Sequence, residues 1–151
     1  SVKENIALPS MDRDAKLGMV DYKKVEELAA KYIEQLNIKT PTPEQQLGNL
    51  SGGNQQKVCL AKWLAMNPRV LIFDEPTRGI DVGAKSEIYK LMNKLAEEGK
   101  SIIMISSDMP ELLRLSDRVV VMCEGRVTGE LDIAEATQEK IMTFATKREV
   151  G

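Results

Sequence analysis

The chain of 151 residues contains no histidine and only two cysteines. Histidine and cysteine are common zinc ligands, so a zinc site would need carboxylates throughout and is not expected. Two cysteines are also too few for the framework of a small domain held together by disulfides. We expect both, Cys59 and Cys123, to be buried free thiols in a protein of a reducing compartment.

Long hydrophobic segments are absent as well. The apolar runs Val70–Phe73 and Val119–Cys123 are four and five residues long, whereas a membrane-spanning helix needs about 20. We therefore expect no membrane span, and Ser1–Glu4 has no signal-peptide pattern. With 42% hydrophobic and 29% charged residues, the composition excludes disordered and collagen-like classes and is typical of a globular domain.

The chain has no strong excess of charge of either sign. Its formal net charge is −2 and its pI is about 5.4. Basic residues alternate with acidic ones, as where Lys23 and Lys24 precede Glu26 and Glu27. A nucleic-acid-binding protein usually carries a basic face, so nucleic acid is not expected as a partner.

The order of apolar patterns predicts an α/β domain in which parallel core strands are flanked by helices and a β-hairpin lies near the C-terminus. The strands Val70–Phe73 and Ser101–Ser106 are apolar at nearly every position, which predicts cover on both faces. Residues 1–21 indicate irregular structure or a short helix. The predicted elements from residue 22 onward are a helix at Tyr22–Leu36, a helix from Ser51 to about Met66, the strand Val70–Phe73, a helix from Asp81 to Gly99, the strand Ser101–Ser106, a helix at Pro110–Leu115, a strand at Val119–Cys123, an antiparallel strand at Arg126–Leu131 and a helix at Thr137–Thr146.

A glycine pair marks the start of the second predicted helix. Gly52 and Gly53 have no Cβ, so their amides can approach a phosphate closely at the positive end of the helix dipole. Ser51 can add its hydroxyl to the same oxygen. The alternative is a flexible turn that Ser51 merely caps. The candidate phosphate-contacting segment comprises Leu50, Ser51, Gly52, Gly53, Asn54, Gln55 and Gln56.

Two carboxylates follow the first apolar strand. Asp74 lies where ligands bind in open α/β sheets, and it can hold Mg²⁺ directly or through water. Glu75 points elsewhere and can accept a hydrogen bond from an attacking water as a general base. The alternative is a solvated turn after a strand. The spacing from Ser51 to Asp74, with Glu75 and Pro76 following, favours the functional interpretation of both segments.

Together these motifs resemble the ATPase domain of ABC transporters. Leu50–Val58 is similar to the signature of that domain, Val70–Glu75 to its Walker B strand, and the residues Gly79, Ile80 and Asp81 to its D-loop. More narrowly, the motifs resemble the ATP-binding subunits of bacterial importers of ribose, galactose and xylose. The resemblance implies ATP and Mg²⁺ as cofactors.

The chain departs from a complete domain of this kind in its phosphate-binding loop. No G-x-x-x-x-G-K-[ST] segment occurs, so Walker A and the Q-loop are absent and we expect an incomplete P-loop NTPase domain. Gly99-Lys100-Ser101 is interpreted as a helix stop. The expected division is a helical-subdomain part at about 1–66, with the signature helix, and a Walker B, D-loop and switch-region core at about 67–151.

The second departure concerns the switch. ABC domains usually carry a histidine after the strand that follows the D-loop helix, and Ser107 stands at that position here. A serine cannot supply the role of an imidazole, and losing a comparable transition-state donor costs about 10²- to 10³-fold in rate. The second ABC domain of the sugar-importer subunits shows the same replacement. We therefore expect a C-terminal fragment of such a subunit that is inactive alone.

The resemblance also implies partners. ABC domains pair head to tail, so the signature would complete an ATP site on a partner ABC domain, in the same polypeptide or a second subunit. Transmembrane permease subunits and, indirectly, a periplasmic sugar-binding protein would be further partners, at the cytoplasmic face of the bacterial inner membrane. Two alternatives stay open: a non-hydrolysing regulatory or dimerisation half, and a non-transport ABC ATPase.

Overall fold

A computed structural model describes residues 1–15 and 19–147, with Asp12 by its backbone only. Within these residues, short 3₁₀ turns occur at Leu8–Ser10 and Leu47–Asn49. The helices and strands in chain order are α1 Val2–Ala7, α2 Met11–Asp14, α3 Tyr22–Gln35, α4 Gly52–Leu64, β1 Val70–Asp74, α5 Val82–Glu97, β2 Ser101–Ile105, α6 Met109–Leu115, β3 Arg118–Cys123, β4 Arg126–Asp132 and α7 Gln138–Ala145.

The predicted elements from Tyr22 onward are confirmed, and two helices end as their sequences indicate. Asn37 follows α3 with φ 48°, and Gly99 follows α5 with φ 83°. After α5 the Gly99 N–H donates to Ala96 and the Lys100 N–H donates to Leu95, which is the Schellman arrangement. The interpretation of Gly99-Lys100-Ser101 as a helix stop is therefore confirmed.

The described part of the N-terminal segment forms short helices, one of the two possibilities that its sequence indicated. The Ser1 hydroxyl accepts a hydrogen bond from the Glu4 amide, and the Glu4 side chain returns to Ser1 as a capping box. Val2 and Ile6 of α1 are fully buried, and this helix packs on α3 and α4. The Ser-x-x-Glu pattern is a known helix-start signal, so it could have predicted α1.

The chain divides into two compact units. The first comprises 1–71 and 76–103, and the second comprises 72–75 and the described part of 104–151. In the first unit the helices share an apolar core in which the Tyr32 hydroxyl donates to the Leu64 carbonyl at 2.7 Å. Burial raises the pKa of Tyr32 because the phenolate form would lose its hydration.

The second unit is built on the predicted β-hairpin. β3 and β4 pair antiparallel, with Arg118 opposite Asp132 and a register shift between Val121 and Met122. Glu124 and Gly125 form the turn with φ 51° and 79°, as in a type I′ turn. The core of this unit is formed by Val119, Val121, Leu131 and Ile141.

β1 and β2 form a two-stranded sheet. The Ser101 N–H donates to Arg69 at one end and the Glu75 N–H donates to Ile105 at the other, so the strands run parallel as predicted. The prediction that both faces are covered is wrong for the described residues. Val70 and Ile72 are 53% and 66% exposed, because only these two strands form the sheet and one of its faces packs on nothing described.

The expectation of buried thiols is also wrong. Cys59 is exposed and Cys123 is half-buried, although both are free thiols in this structure. Cys59 lies on the outer side of α4, where Val58 and Leu60 on either side of it are buried. In the described residues no helix is both long enough and apolar enough to cross a membrane.

Candidate functional site

Ser51 starts α4 through its backbone rather than its side chain. It is the N-cap residue, but its hydroxyl makes no capping bond to the helix. The first backbone hydrogen bond of the helix runs from the Gln55 N–H to the Ser51 carbonyl at 2.9 Å. The N–H groups of residues 52–54 therefore precede the first hydrogen-bonded turn of the helix. The Ser51 Oγ instead accepts a hydrogen bond from Asn54 Nδ2 at 2.9 Å. Ser51 is therefore the N-cap residue by position, whereas the side-chain cap of the alternative interpretation is absent at this residue.

Packing requires glycine at one of the two glycine positions of the segment but not at the other. A Cβ built on Gly53 would lie 2.8 Å from the Ala84 Cβ, a contact that real Cβ atoms do not make. Gly53 therefore lets α4 approach α5. A Cβ built on Gly52 would meet nothing within 4 Å, and Gly52 has no positive φ. Packing within the described residues does not require glycine at position 52, and the open space at its Cβ position suits a ligand that approaches the backbone closely.

The D-loop residues lie in the same unit as this segment. Gly79 has φ 74°, which favours glycine, and Ile80 is half-buried. The Asp81 Oδ1 accepts from the Ala84 N–H at 2.9 Å and caps α5. A cleft of about 270 Å³ is lined by residues of both segments, including Ser51, Asn54 and Asp81.

An ion pair between a buried lysine and an exposed glutamate also joins the signature helix to the D-loop helix. The Lys57 ammonium of α4 contacts the Glu87 carboxylate of α5 and donates to the Asn37 carbonyl at 2.9 Å. The Lys57 side chain is only 7% exposed. The sequence analysis missed this pair. The one available signal was the position of Lys57 next to Val58, on the apolar side of the helix.

The strand-end acids have separate environments. Asp74 ends β1 and is exposed, whereas Glu75 is half-buried and has φ 46°. The Glu75 Oε1 accepts a hydrogen bond from the Ser107 N–H at 3.0 Å. The structure therefore brings the predicted base and the switch position together, through the backbone amide of Ser107 and not through its hydroxyl.

A buried carboxylate supports the turn that contains Ser107. The Ser106 hydroxyl donates to Glu111 Oε2 and accepts from the Asp108 N–H at 3.0 Å. Glu111 is only 1% exposed. The sequence analysis named neither Ser106 nor Glu111. A glutamate in the first turn of a short helix otherwise indicates only a favourable helix dipole, so the burial could not be foreseen.

Asp74 is the residue that the sequence predicts to hold Mg²⁺. In residues 1–15 and 19–147 no group of three or more acidic or cysteine side chains is arranged to hold a metal ion. Mg²⁺ in nucleotide sites is often held by one or two protein carboxylates together with substrate phosphates and water. A single exposed carboxylate at the end of a strand fits that manner of binding.

Comparisons with known proteins identify the family of this chain. The ABC transporter family matches residues 1–78. The ribose import ATP-binding protein RbsA of Bacillus subtilis is 56% identical over 146 residues, 97% of this chain and 30% of the relative. The xylose import ATP-binding protein XylG of Thermoanaerobacter pseudethanolicus is 59% identical over 145 residues, 96% of this chain and 29% of the relative.

Solved structures show the same fold. An ATP-binding cassette in a dimeric post-hydrolysis state, bound to ADP and Pi, superimposes with a TM-score of 0.75 at 26% identity, over 88% of this chain and 56% of the other. The fold is that of part of an ATP-binding cassette. The chain belongs to the ABC transporter family, and it spans just under a third of the length of the curated relatives it matches.

Proposed function

We propose that this chain is the C-terminal ABC part of an ATP-hydrolysing subunit that energises the import of a monosaccharide. Its signature segment completes an ATP site whose phosphate-binding loop belongs to a partner ABC domain. The import functions named for the similar relatives support the sugar. The dimeric state of the similar cassette bound to ADP and Pi supports a site shared between two domains.

The observation that carries this proposal is that the Ser51 hydroxyl does not cap the helix that Ser51 starts. A serine that served only as a helix cap would accept a hydrogen bond from an amide of the first turn. Ser51 makes no such bond, and the space that a Cβ on the adjacent Gly52 would occupy is open. A phosphate group fits this arrangement of the Ser51 hydroxyl, the N–H groups of residues 52–54 and the N-terminus of α4.

The strand-end acids serve the ATP site of this chain's own half. Asp74 would hold Mg²⁺, which would neutralise phosphate charge, and Glu75 orients the attacking water as a general base. The Ser107 amide holds one oxygen of that carboxylate in place. Since Ser107 supplies no imidazole, we expect this half to hydrolyse ATP more slowly than the site that Ser51 completes.

The D-loop and the outer surfaces carry the remaining contacts of the proposed assembly. Gly79, Ile80 and Asp81 face the partner ABC domain, and the helical part around α3 lies toward transmembrane permease subunits. A periplasmic sugar-binding protein acts on the chain only through those subunits. The subunit is accordingly peripheral, at the cytoplasmic face of the bacterial inner membrane.

The test is Ser51→Ala in the full-length subunit assembled with its permease. We expect ATP turnover to fall by about 10²-fold, as for loss of one donor to a transition-state oxygen, while the melting temperature barely changes because no capping bond is lost. Ser51→Thr, which keeps a hydroxyl at an exposed position, should retain most of the turnover.

A matched control is available in α7. The Thr137 hydroxyl accepts from the Lys140 N–H at 3.2 Å, so Thr137→Ala removes a real cap and should cost about 1 kcal/mol of stability. Turnover per folded molecule should stay normal in that variant. Normal turnover in Ser51→Ala would overturn the proposed function.

One observation favours a second candidate, a non-hydrolysing regulatory half. The Glu75 carboxylate is already bonded to the Ser107 amide, at a position where the sequence has no histidine. On that alternative the motifs of this half bind nucleotide and support the dimer without turnover of their own. Single-turnover assays with the phosphate-binding loop of the partner domain disabled separate the two: slow hydrolysis supports an active half, and none supports a regulatory one.

A further inference from the structure

Asn54 has a side chain that links the signature serine to the loop before the helix. It is the third residue of α4 and is half-buried. Its Nδ2 donates to the Ser51 Oγ at 2.9 Å. Its Oδ1 accepts from the backbone N–H of Lys39 at 2.8 Å.

The Lys39 contact determines which way the amide faces. A backbone N–H is only a donor, so the atom of Asn54 that meets it has to be the oxygen. The nitrogen of the same amide then faces Ser51. Because an amide nitrogen only donates, the Ser51 oxygen accepts in this pair, and its own proton is directed to another acceptor.

The loop that holds Asn54 is itself anchored. The buried Lys57 ammonium donates to the Asn37 carbonyl at 2.9 Å, two residues before Lys39. The segment 37–39 is thus attached to α4 at two points, the Asn54 side chain and the Lys57 side chain. This double attachment gives Asn54 a fixed partner against which its amide is oriented.

We infer that Asn54 is a positioning residue that turns the hydroxyl proton of Ser51 toward the bound phosphate. This inference rests on the proposed function, since it requires Ser51 to donate to ATP. A serine hydroxyl rotates freely and could otherwise accept from a donor or donate elsewhere. With Asn54 in place, the hydroxyl is presented to an anionic oxygen as a donor, without reorganisation during the reaction.

The sharpest variant is Asn54→Asp in the full-length subunit. The carboxylate keeps the shape of the amide and can still accept from Lys39, but it reverses the bond with Ser51, whose proton now points to the carboxylate. We expect kcat to fall by about 10²-fold. In Asn54→Ala the hydroxyl rotates freely, and we expect a loss of about 5- to 10-fold.

Stability separates this role from a structural one. An acidic residue in the first turn of α4 is favourable with the helix dipole, so the melting temperature of Asn54→Asp should hold or rise while kcat falls. A residue needed only for folding would lower both together. A lower melting temperature with unchanged kcat per folded molecule overturns the inference.

The effect of the added charge is removed by a double-mutant cycle with Ser51→Ala. If Asn54 acts through the hydroxyl, Asn54→Asp should cause no more than about a twofold further loss of kcat in the Ser51→Ala background. An equal loss in both backgrounds means that the carboxylate repels phosphate directly, and overturns the inference.

Normal turnover in Ser51→Ala alone overturns the proposed function instead. Loss in Ser51→Ala with normal Asn54 variants overturns only the role of Asn54.

Discussion

The signature segment and the strand-end acids are held in different ways. The Ser51 hydroxyl is held by the side chain of Asn54, whereas the Glu75 carboxylate is held by the backbone amide of Ser107. A side-chain contact depends on which residue is present, and a backbone contact does not. The contact at Ser51 is therefore sensitive to substitution of Asn54, while the contact at Glu75 does not depend on the side chain at position 107.

The largest expected difference between the two regions is in turnover. Ser51→Ala should lower the ATPase rate of the full-length subunit by about 10²-fold, because under the proposed function Ser51 completes the faster site. Removing a general base usually costs at least 10²-fold in rate. Glu75→Gln should nevertheless lower the total ATPase rate by less than about threefold, because under the proposed function the site of this half contributes little of the turnover. Steady-state ATPase assays of the two variants check this, and a greater loss in Glu75→Gln would reverse our assignment of the two sites.

The next comparison separates the two glycines of the signature. Gly53→Ala places a Cβ against Ala84 and should lower the free energy of unfolding by about 1–3 kcal/mol. Gly52→Ala meets no atom within 4 Å and should hold or gain up to about 1 kcal/mol, yet lose turnover because the methyl group enters the space for phosphate. Chemical denaturation and ATPase assays measure both quantities. Equal stability in the two variants would mean that α4 and α5 are less closely packed than described.

A smaller effect distinguishes adjacent serines of the switch. Ser106→Ala removes a hydrogen bond from the buried Glu111 carboxylate and should cost about 1–2 kcal/mol. Ser107→Ala should change stability by less than about 0.5 kcal/mol, since Ser107 is exposed and contacts Glu75 through its amide. Denaturation curves of the two variants, compared with the parent protein, test the difference. A comparable loss in Ser107→Ala would show that its hydroxyl matters.

The smallest expected signal is the response of the isolated chain to MgATP. The sequence has no phosphate-binding loop, and under the proposed function the signature acts on a partner's nucleotide. We expect no saturable heat of binding and no hydrolysis when this 151-residue chain is titrated with MgATP. Tight binding at one ATP per chain would show that the two regions form a site without a partner.

Much of the local structure follows from patterns in the sequence. The Tyr22–Leu36 periodicity predicted α3, and the turn residues Glu124 and Gly125 predicted the hairpin, because helix periodicity and positive φ are local properties. The cover of β1 could not be predicted in the same way. Whether Ile72 is buried depends on which elements lie against the sheet, and these are not local to the strand.

The family resemblance, the order of elements and the candidate residues from Ser51 to Ser107 could be read from residue type and spacing along the chain. The contacts that hold those residues became visible in the folded chain. These contacts are Asn54 with Ser51 and Lys39, Gly53 with Ala84, and the Ser107 amide with Glu75. The physical reason is that a hydrogen bond or a close packing contact depends on distance and direction between side chains and backbone, which spacing along a chain does not specify.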